Sequence, residues 1–166
     1  MIHVLYSACR TGDLKRVKWV LSHCVNPSAQ DNLALRTACM GGYTNIVIIL
    51  IKDFRVNPTI PDNFVLRWAC ARNELIIVNM LLEYKCVDPS AVDSESIRLA
   101  SADGFFNIVD ILLKDGRADP SSRNNSAIRL AYKNGHTHVV ELLSRDDRVD
   151  ISILFTDQIH RLKITN

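Results

Sequence analysis

The sequence predicts an all-α solenoid of five helix-turn-helix units joined by short loops. Four of the five prolines recur every 31 residues, at Pro27, Pro58, Pro89 and Pro120. Three further residue types recur with the same step, at Arg36, Arg67, Arg98 and Arg129, at Ala38, Ala69, Ala100 and Ala131, and at Val47, Val78, Val109 and Val140. Repetition at a fixed period of roughly 20–50 residues is typical of stacked repeats.

The units divide the chain at about residues 1–30, 31–61, 62–92, 93–123 and 124–154. The first unit fits at a step of 30, because it lacks one loop residue. Residues after Leu154 do not restore the pattern, and we expect 155–166 to be a degenerate C-terminal cap or a tail. A unit of this size buries too little surface to fold alone, so its stability must come from stacking on its neighbours.

Recurring polar residues predict where the first helix of each unit begins, and recurring Gly or Asn residues predict where it ends. The predicted N-caps, whose side chains can accept a free amide of the first turn, are Asn32, Asn63, Ser94 and Asn125. The predicted stops, where a left-handed residue ends a helix, are Gly42, Asn73, Gly104 and Gly135.

An apolar stripe at helical spacing predicts the second helix, as in Ile46, Val47, Ile49 and Leu50. A loop of the form Val-Asn/Asp-Pro-Ser/Thr follows, and its proline directs the chain along an extended path to the next unit. Trp19 falls in a column with Ile49 and Met80, and Trp68 in a column with Thr37, Leu99 and Leu130, so we expect both in the core.

Composition indicates an ordinary globular protein. The chain is 48% hydrophobic and 23% charged, and its net charge of +2 gives no global reason to bind nucleic acid or an anionic membrane. The longest branched apolar run, residues 46–51, is far shorter than the roughly 20 residues of a membrane span. The N-terminus does not resemble a signal peptide, so the five cysteines are expected to be reduced thiols in a cytoplasmic or nuclear protein.

The segments 38–51 and 130–143 resemble the ankyrin repeat signature Leu-Ala-Ala-x-x-Gly-His-x-x-Ile-Val-x-Leu-Leu. The resemblance covers about residues 1–154. It departs from the family in its period, which is 31 residues here and usually 33. Because the loops are shorter, we expect little or no β-hairpin. Tetratricopeptide repeats are the alternative helical array, but their helices are longer and their connections lack a proline loop of this length.

The resemblance implies a non-enzymatic protein–protein interaction module, an adaptor, scaffold or inhibitor that binds a protein partner on its concave face and loop tips. We expect a monomer with no cofactor, no metal and no catalytic residues. The thiols of Cys9, Cys39 and Cys70 occur once per unit and cannot converge on a metal. His136 and His138 are two residues apart, whereas a helical metal pair needs a spacing of four.

The arginine column, Arg36, Arg67, Arg98 and Arg129, has two interpretations. Each residue lies in a first helical turn, where a cation meets the positive end of the helix dipole. In the structural interpretation, each guanidinium reaches a neighbouring repeat through a loop acid such as Asp31 or through loop carbonyls. In the alternative, the four arginines form a ladder that binds nucleic acid or another acidic polymer. Identity in every full unit favours the structural interpretation, because binding positions usually vary between repeats.

Residue type varies between units at two sets of positions. One set directly follows the Ala-Cys pair, and the other lies in the loop and at the start of the first helix. The candidate protein-binding residues are Met40, Ile60, Phe64, Ala71, Arg72, Glu95, Ala102, Asp103, Lys133 and Asn134. Phe64, Ile60 and Met40 are a candidate apolar hot spot, because buried aromatic anchors dominate protein interfaces. The other interpretation of Phe64 is that it covers the edge of the core.

Overall fold

The computed structural model describes residues 1–59 and 62–155, and these are helical apart from turns and loops. The helices are α1 (Ile2–Thr11), α2 (Leu14–Leu21), α3 (Ala29–Met40), α4 (Thr44–Lys52), α5 (Phe64–Ala71), α6 (Leu75–Leu82), α7 (Ala91–Ala102), α8 (Phe106–Asp115), α9 (Ser122–Lys133) and α10 (Thr137–Leu143). No strand occurs in the described residues, so the predicted all-α helical-repeat class is confirmed.

The helices pack into two compact units, Met1–Trp68 and Ala69–Asn166, and the division falls within α5. In the first unit, α1 packs on α2 and α3, α2 packs on α4, and α3 packs on α4. In the second unit, α7 packs on α8 and α9, while α10 packs on α8 and α9. Within each unit, these contacts join the two helices of one pair or the matching helices of consecutive pairs. The total of five repeats stays a prediction.

The core of each unit consists of the residue columns that recur in the sequence. In the first unit, Leu35, Ala38 and Val47 have no exposed surface. In the second unit, Ile97 and Val109 are equally buried. Burying each Leu, Ile or Val side chain of this set contributes roughly 1.5–3 kcal/mol, relative to leaving it in water. The repeated sequence pattern is thus the pattern of core positions.

A left-handed turn precedes the right-handed part of each described first helix from α3 onward. In α3 the φ angles of Gln30, Asp31 and Asn32 lie between 53° and 57°. Positive φ angles also occur at Asp62 and Asn63, at Val92, Asp93 and Ser94, and at Arg123, Asn124 and Asn125. Asn and Asp adopt this conformation more readily than other non-glycine residues, which accounts for their frequency here.

The predicted N-cap residues mark the start of the right-handed helix, but the hydrogen bonds seen for Ser94 and Asn125 differ from the predicted caps. Ser94 Oγ accepts a hydrogen bond from the amide of Asp119 at 2.8 Å. Asn125 Oδ1 accepts one from the amide of Asp150 at 2.9 Å. Both residues are buried, and each side chain holds the loop that follows its own helix pair and does not cap its own helix.

The Asn/Asp-Pro-Ser/Thr loops close on themselves through a side-chain turn. Asp119 Oδ1 accepts hydrogen bonds from the amide and the hydroxyl of Ser121, at 2.9 and 2.7 Å. The same pair of bonds joins Thr59 to Asn57 and Ser90 to Asp88. An Asx-turn of this kind holds the loop through hydrogen bonds between residues only two apart in the chain.

The prediction that Trp19 lies in the core is wrong, because this residue is 53% exposed. Its column counterparts Ile49 and Met80 are only partly buried, so the column lies at the rim of the core and the larger ring of Trp19 protrudes.

Within the described residues, no helix has the length and apolar character needed to cross a bilayer.

Candidate functional site

The ends of the first helices alternate sharply between buried and exposed side chains. Cys39, Cys70 and Ser101 have no exposed surface. The residue after Cys39, Met40, is 76% exposed although it is apolar. The helix therefore turns its last core residue inward and presents the next residues to solvent, as expected for a helix packed along one side.

Each predicted binding residue that the structure describes is at least partly accessible. Exposed positions are Met40, Arg72, Asp103, Lys133 and Asn134, and partly exposed positions are Phe64, Ala71, Glu95 and Ala102. Ile60 lies outside the described residues, as do 156–166 of the predicted cap or tail. The candidate hot spot of Phe64, Ile60 and Met40 thus stays a prediction.

In the second unit, the structure brings the ends of α7 and α9 together. Asn134 Nδ2 donates a hydrogen bond to the carbonyl oxygen of Ala102 at 2.6 Å. His136 Nε2 lies 3.0 Å from the same oxygen. Ala102 and Asp103 at the end of α7, and Lys133 and Asn134 at the end of α9, are called the helix-end surface below. The shared carbonyl fixes the geometry of this surface.

Aromatic rings pack over the glycine turns beside these helix ends. The His136 ring lies so close to Gly104 that a Cβ added there would meet Nδ1 at 2.5 Å. In the first unit, the Tyr43 ring lies in the same way against Gly12. Both glycines have a φ angle of +73°, which side chains rarely adopt. The turns are therefore closed by packing as well as by backbone conformation.

In the arginine column, Arg98 contacts carbonyls. Its Nε donates to the carbonyl oxygen of Asp93 at 3.0 Å, and its Nη2 donates to that of Val92 at 3.3 Å. These oxygens belong to the left-handed turn at the start of the same helix, α7. Arg67 and Arg129 also have interaction partners. At Arg98, the contact is therefore with its own turn and not with the neighbouring helix pair.

A different arginine, Arg55, links consecutive helix pairs in the first unit. Its Nη1 donates to the carbonyl oxygen of Val25 at 2.9 Å, and its Nη2 donates to that of Leu21 at 3.1 Å. Asp53 holds the guanidinium through two contacts, of 2.8 Å to Nε and 2.5 Å to Nη2. This bidentate bond to Arg55 lowers the pKa of Asp53 below its ordinary value.

The second unit contains two arginines in equivalent positions. Arg117 donates to the carbonyl oxygens of Val87 and Leu82, at 2.7 and 2.9 Å, and is held by Asp115. Arg148 donates to the carbonyl oxygen of Ala118 at 3.0 Å and is held by Asp146. We call the three Asp-x-Arg segments, 53–55, 115–117 and 146–148, the loop clamps.

The loop clamps were not predicted, although the sequence contains a signal for them. Asp-x-Arg occurs at 53–55, 115–117 and 146–148, directly before the loop motif at 56–59 and before its variants Ala-Asp-Pro-Ser at 118–121 and Val-Asp-Ile-Ser at 149–152. The arginine of the loop clamps does not recur in every unit, because Cys24 and Cys86 occupy the equivalent positions 31 residues before Arg55 and Arg117. That interruption hides the repeat from a search for identical residues in every unit.

The helix-end cysteines are structural in character. Burial raises the pKa of the Cys9 thiol to about 12, and it does the same for the Cys70 thiol. Thiols with such values are protonated at neutral pH and are poor nucleophiles and poor metal ligands. Across 1–59 and 62–155, no group of three His, Cys, Asp or Glu residues is placed to hold a metal ion.

An apolar cavity of about 290 Å³ lies beside α9 and α10. It is lined by Tyr132, Val140, Ser144, Ile151, Leu154 and Phe155. Val140 is partly exposed here, whereas its counterpart Val109 is fully buried. The described residues leave this end of the core open.

Comparison with known proteins adds an independent observation. The family model described as ankyrin repeats, in three copies, matches residues 5–93, which is more than half of the chain. No curated protein matches the sequence at a significant level. The matched residues include most of α1 and all of α2 to α6.

Proposed function

Because the chain belongs to the ankyrin repeat family, whose repeats generally mediate protein–protein interaction, we propose that it is a non-enzymatic module that binds a protein partner through the exposed ends of its first helices. In the second unit this binding surface is the helix-end surface, with Ala71, Arg72 and Glu95 as further contact residues. In the first unit it includes Met40 and Phe64. The role is that of an adaptor, scaffold or inhibitor, because such a surface grips a partner without changing it.

One observation carries the proposal: chemically varied side chains that are at least partly accessible directly follow uniformly buried ones. Cys39, Cys70 and Ser101 have no exposed surface and are all small. The residues that come next are Met40, Ala71 and Ala102, followed by Gly41, Arg72 and Asp103. Varied side chains that each follow a uniformly buried residue can match different parts of one partner.

Preorganisation supports the same function. The helix-end surface is held by the hydrogen bond from Asn134 to Ala102 and by the packing of His136 on Gly104. A surface that is already ordered loses little conformational entropy when a partner binds, so more of the interaction energy appears as affinity.

Paired variants of equal charge test the proposal. Ala102→Arg/Asn134→Arg places two cations on the helix-end surface, whereas Asn79→Arg/Asn107→Arg places two on exposed positions of α6 and α8. Affinity capture from cell extract with quantitative mass spectrometry compares both with the wild type. We expect proteins that the wild type and the α6/α8 variant capture equally, and that the helix-end variant loses. Identical partner lists for all three chains would remove the helix-end surface from the binding site.

A further inference from the structure

The outward face of α2 is an exposed basic surface in the first unit. Lys15, Arg16 and Lys18 are all exposed, and in the described part of the chain none of them forms an ion pair. Lys15 and Arg16 precede Trp19 by four and three residues, so both lie next to the indole on the helix surface. The opposite face, with Val17 and Val20, is fully buried.

Little negative charge neutralises this surface. Helices α1, α2 and α4 contain no Asp or Glu, and α4, which packs beside α2, adds the exposed Lys52. Asp13 caps α2 by accepting a hydrogen bond from the Arg16 amide at 2.9 Å. Asp53, which follows α4, is ion-paired with Arg55 at 2.5 Å. The outward cations of α2 therefore keep most of their positive potential.

Trp19 is an ordered aromatic side chain within this basic surface. Its ring centroid lies 4.3 Å from that of His23, with 36° between the ring planes. His23 Nδ1 also lies 2.6 Å from the Trp19 carbonyl oxygen, so the His23 ring is fixed beside the indole. More than half of the Trp19 side chain is nevertheless exposed. An exposed tryptophan beside His23 and among cations has the composition of an interface anchor, because Trp and Arg are enriched at protein-binding hot spots.

We propose that the outward face of α2, together with Lys52, binds an acidic segment of a protein partner, with Trp19 as its apolar anchor. This surface lies on other helices than Met40 and Phe64, so it is a second binding surface that does not depend on the first. A protein segment fits better than a nucleic acid. Single-stranded nucleic acids bind to a basic groove lined by successive aromatic rings, and α2 presents one ring with a face already against His23.

Fluorescence anisotropy with defined probes tests the proposal. The probe is a short fluorescein-labelled peptide rich in Asp and Glu around a central Leu-Phe pair. Its control replaces the acids with Asn and Gln, and oligothymidylate is the nucleic-acid probe. We expect the acidic peptide to bind at about 50 mM salt and to bind about tenfold more weakly at about 300 mM, because screening shortens the range of exposed charges. The neutral peptide should not bind.

Two triple variants of equal net charge locate the site. Lys15→Gln/Arg16→Gln/Lys18→Gln should weaken peptide binding by about tenfold or more, and Trp19→Ala should also weaken it. Lys85→Gln/Lys114→Gln/Arg145→Gln removes three exposed cations of the second unit and should bind like the wild type. Equal loss in both triple variants, no peptide binding at low salt, or tighter binding of oligothymidylate would overturn the proposal. The helix-end variant Ala102→Arg/Asn134→Arg should bind the peptide normally, which separates this test from that of the proposed function.

Discussion

Arg55 Nη1 donates a hydrogen bond to the carbonyl oxygen of Val25, thirty residues earlier in the chain, at 2.9 Å. The same guanidinium also donates to Leu21 and is held by Asp53. A single side chain thus joins the loop after α4 to the loop after α2. Planar guanidinium groups suit this role, because they donate several hydrogen bonds in a fixed geometry.

Arg55→Ala should lower the free energy of unfolding by about 1–3 kcal/mol, because it removes the guanidinium donors of two carbonyl oxygens and leaves the Asp53 carboxylate with only the backbone amide of residue 55. Urea unfolding followed by circular dichroism measures the change. Arg145→Ala, at an exposed position, is the matched control and should change stability by less than about 0.5 kcal/mol. Equal stability of the two variants would show that the clamp does not stabilise the fold.

The loop clamps should make the protein sensitive to acid. Hydrogen bonds from Arg117 and Arg148 lower the pKa of Asp115 and of Asp146 below the ordinary value of 3.8. A carboxylate with a lowered folded-state pKa contributes stability that is complete above its unfolded pKa and is lost as pH falls through the folded pKa. Unfolding free energies between about pH 5 and pH 2 should therefore fall less steeply for Asp115→Asn/Asp146→Asn than for the wild type. Parallel curves would contradict this origin of the acid sensitivity.

Gly104→Ala and Gly116→Ala separate backbone strain from ring packing. Both glycines have left-handed φ angles, of +73° and +80°, but only Gly104 faces the His136 ring, while nothing lies within 4 Å of a Cβ at Gly116. Gly116→Ala should cost about 1 kcal/mol of unfolding free energy, and Gly104→Ala about 2–4 kcal/mol. Thermal and urea unfolding give both values. Adding His136→Ala should remove the excess cost at Gly104; persistence of that excess would argue against the ring contact.

Val92→Asn should stabilise the protein. Val92 has a φ angle of 54°, which is unfavourable for a β-branched residue, and its side chain is 41% exposed, so little packing is lost. The gain should be about 0.5–1 kcal/mol, because Asn tolerates the left-handed conformation. Val92→Ile keeps the branched side chain and should show no gain. Destabilisation by Asn, measured by urea unfolding, would mean that Val92 contributes more by packing than its conformation costs.

Sequence alone determined the repeat and the core because both are local patterns. The proline loops recur with one period, and the apolar stripes of α4, α6 and α8 follow helical spacing. Side chains such as Leu35 and Val47, which repeat in these columns, are fully buried. The helix stops at Gly104 and Gly135 were also predictable, because both have the left-handed φ angle that favours glycine.

Tertiary structure alone decided which arginines join the helix pairs and which polar side chains hold the loops. The acceptors of Arg55 are backbone carbonyls far away in the chain, and every residue has a carbonyl, so no residue type marks them. From the sequence, Ser94 is equally suited to cap its own helix. In the structure, its hydroxyl oxygen instead accepts a hydrogen bond from the amide of Asp119, at 2.8 Å. Trp19 was placed outside by its position at the rim of the core. These outcomes depend on distances between residues that are far apart in the chain, and periodicity along the chain does not contain them.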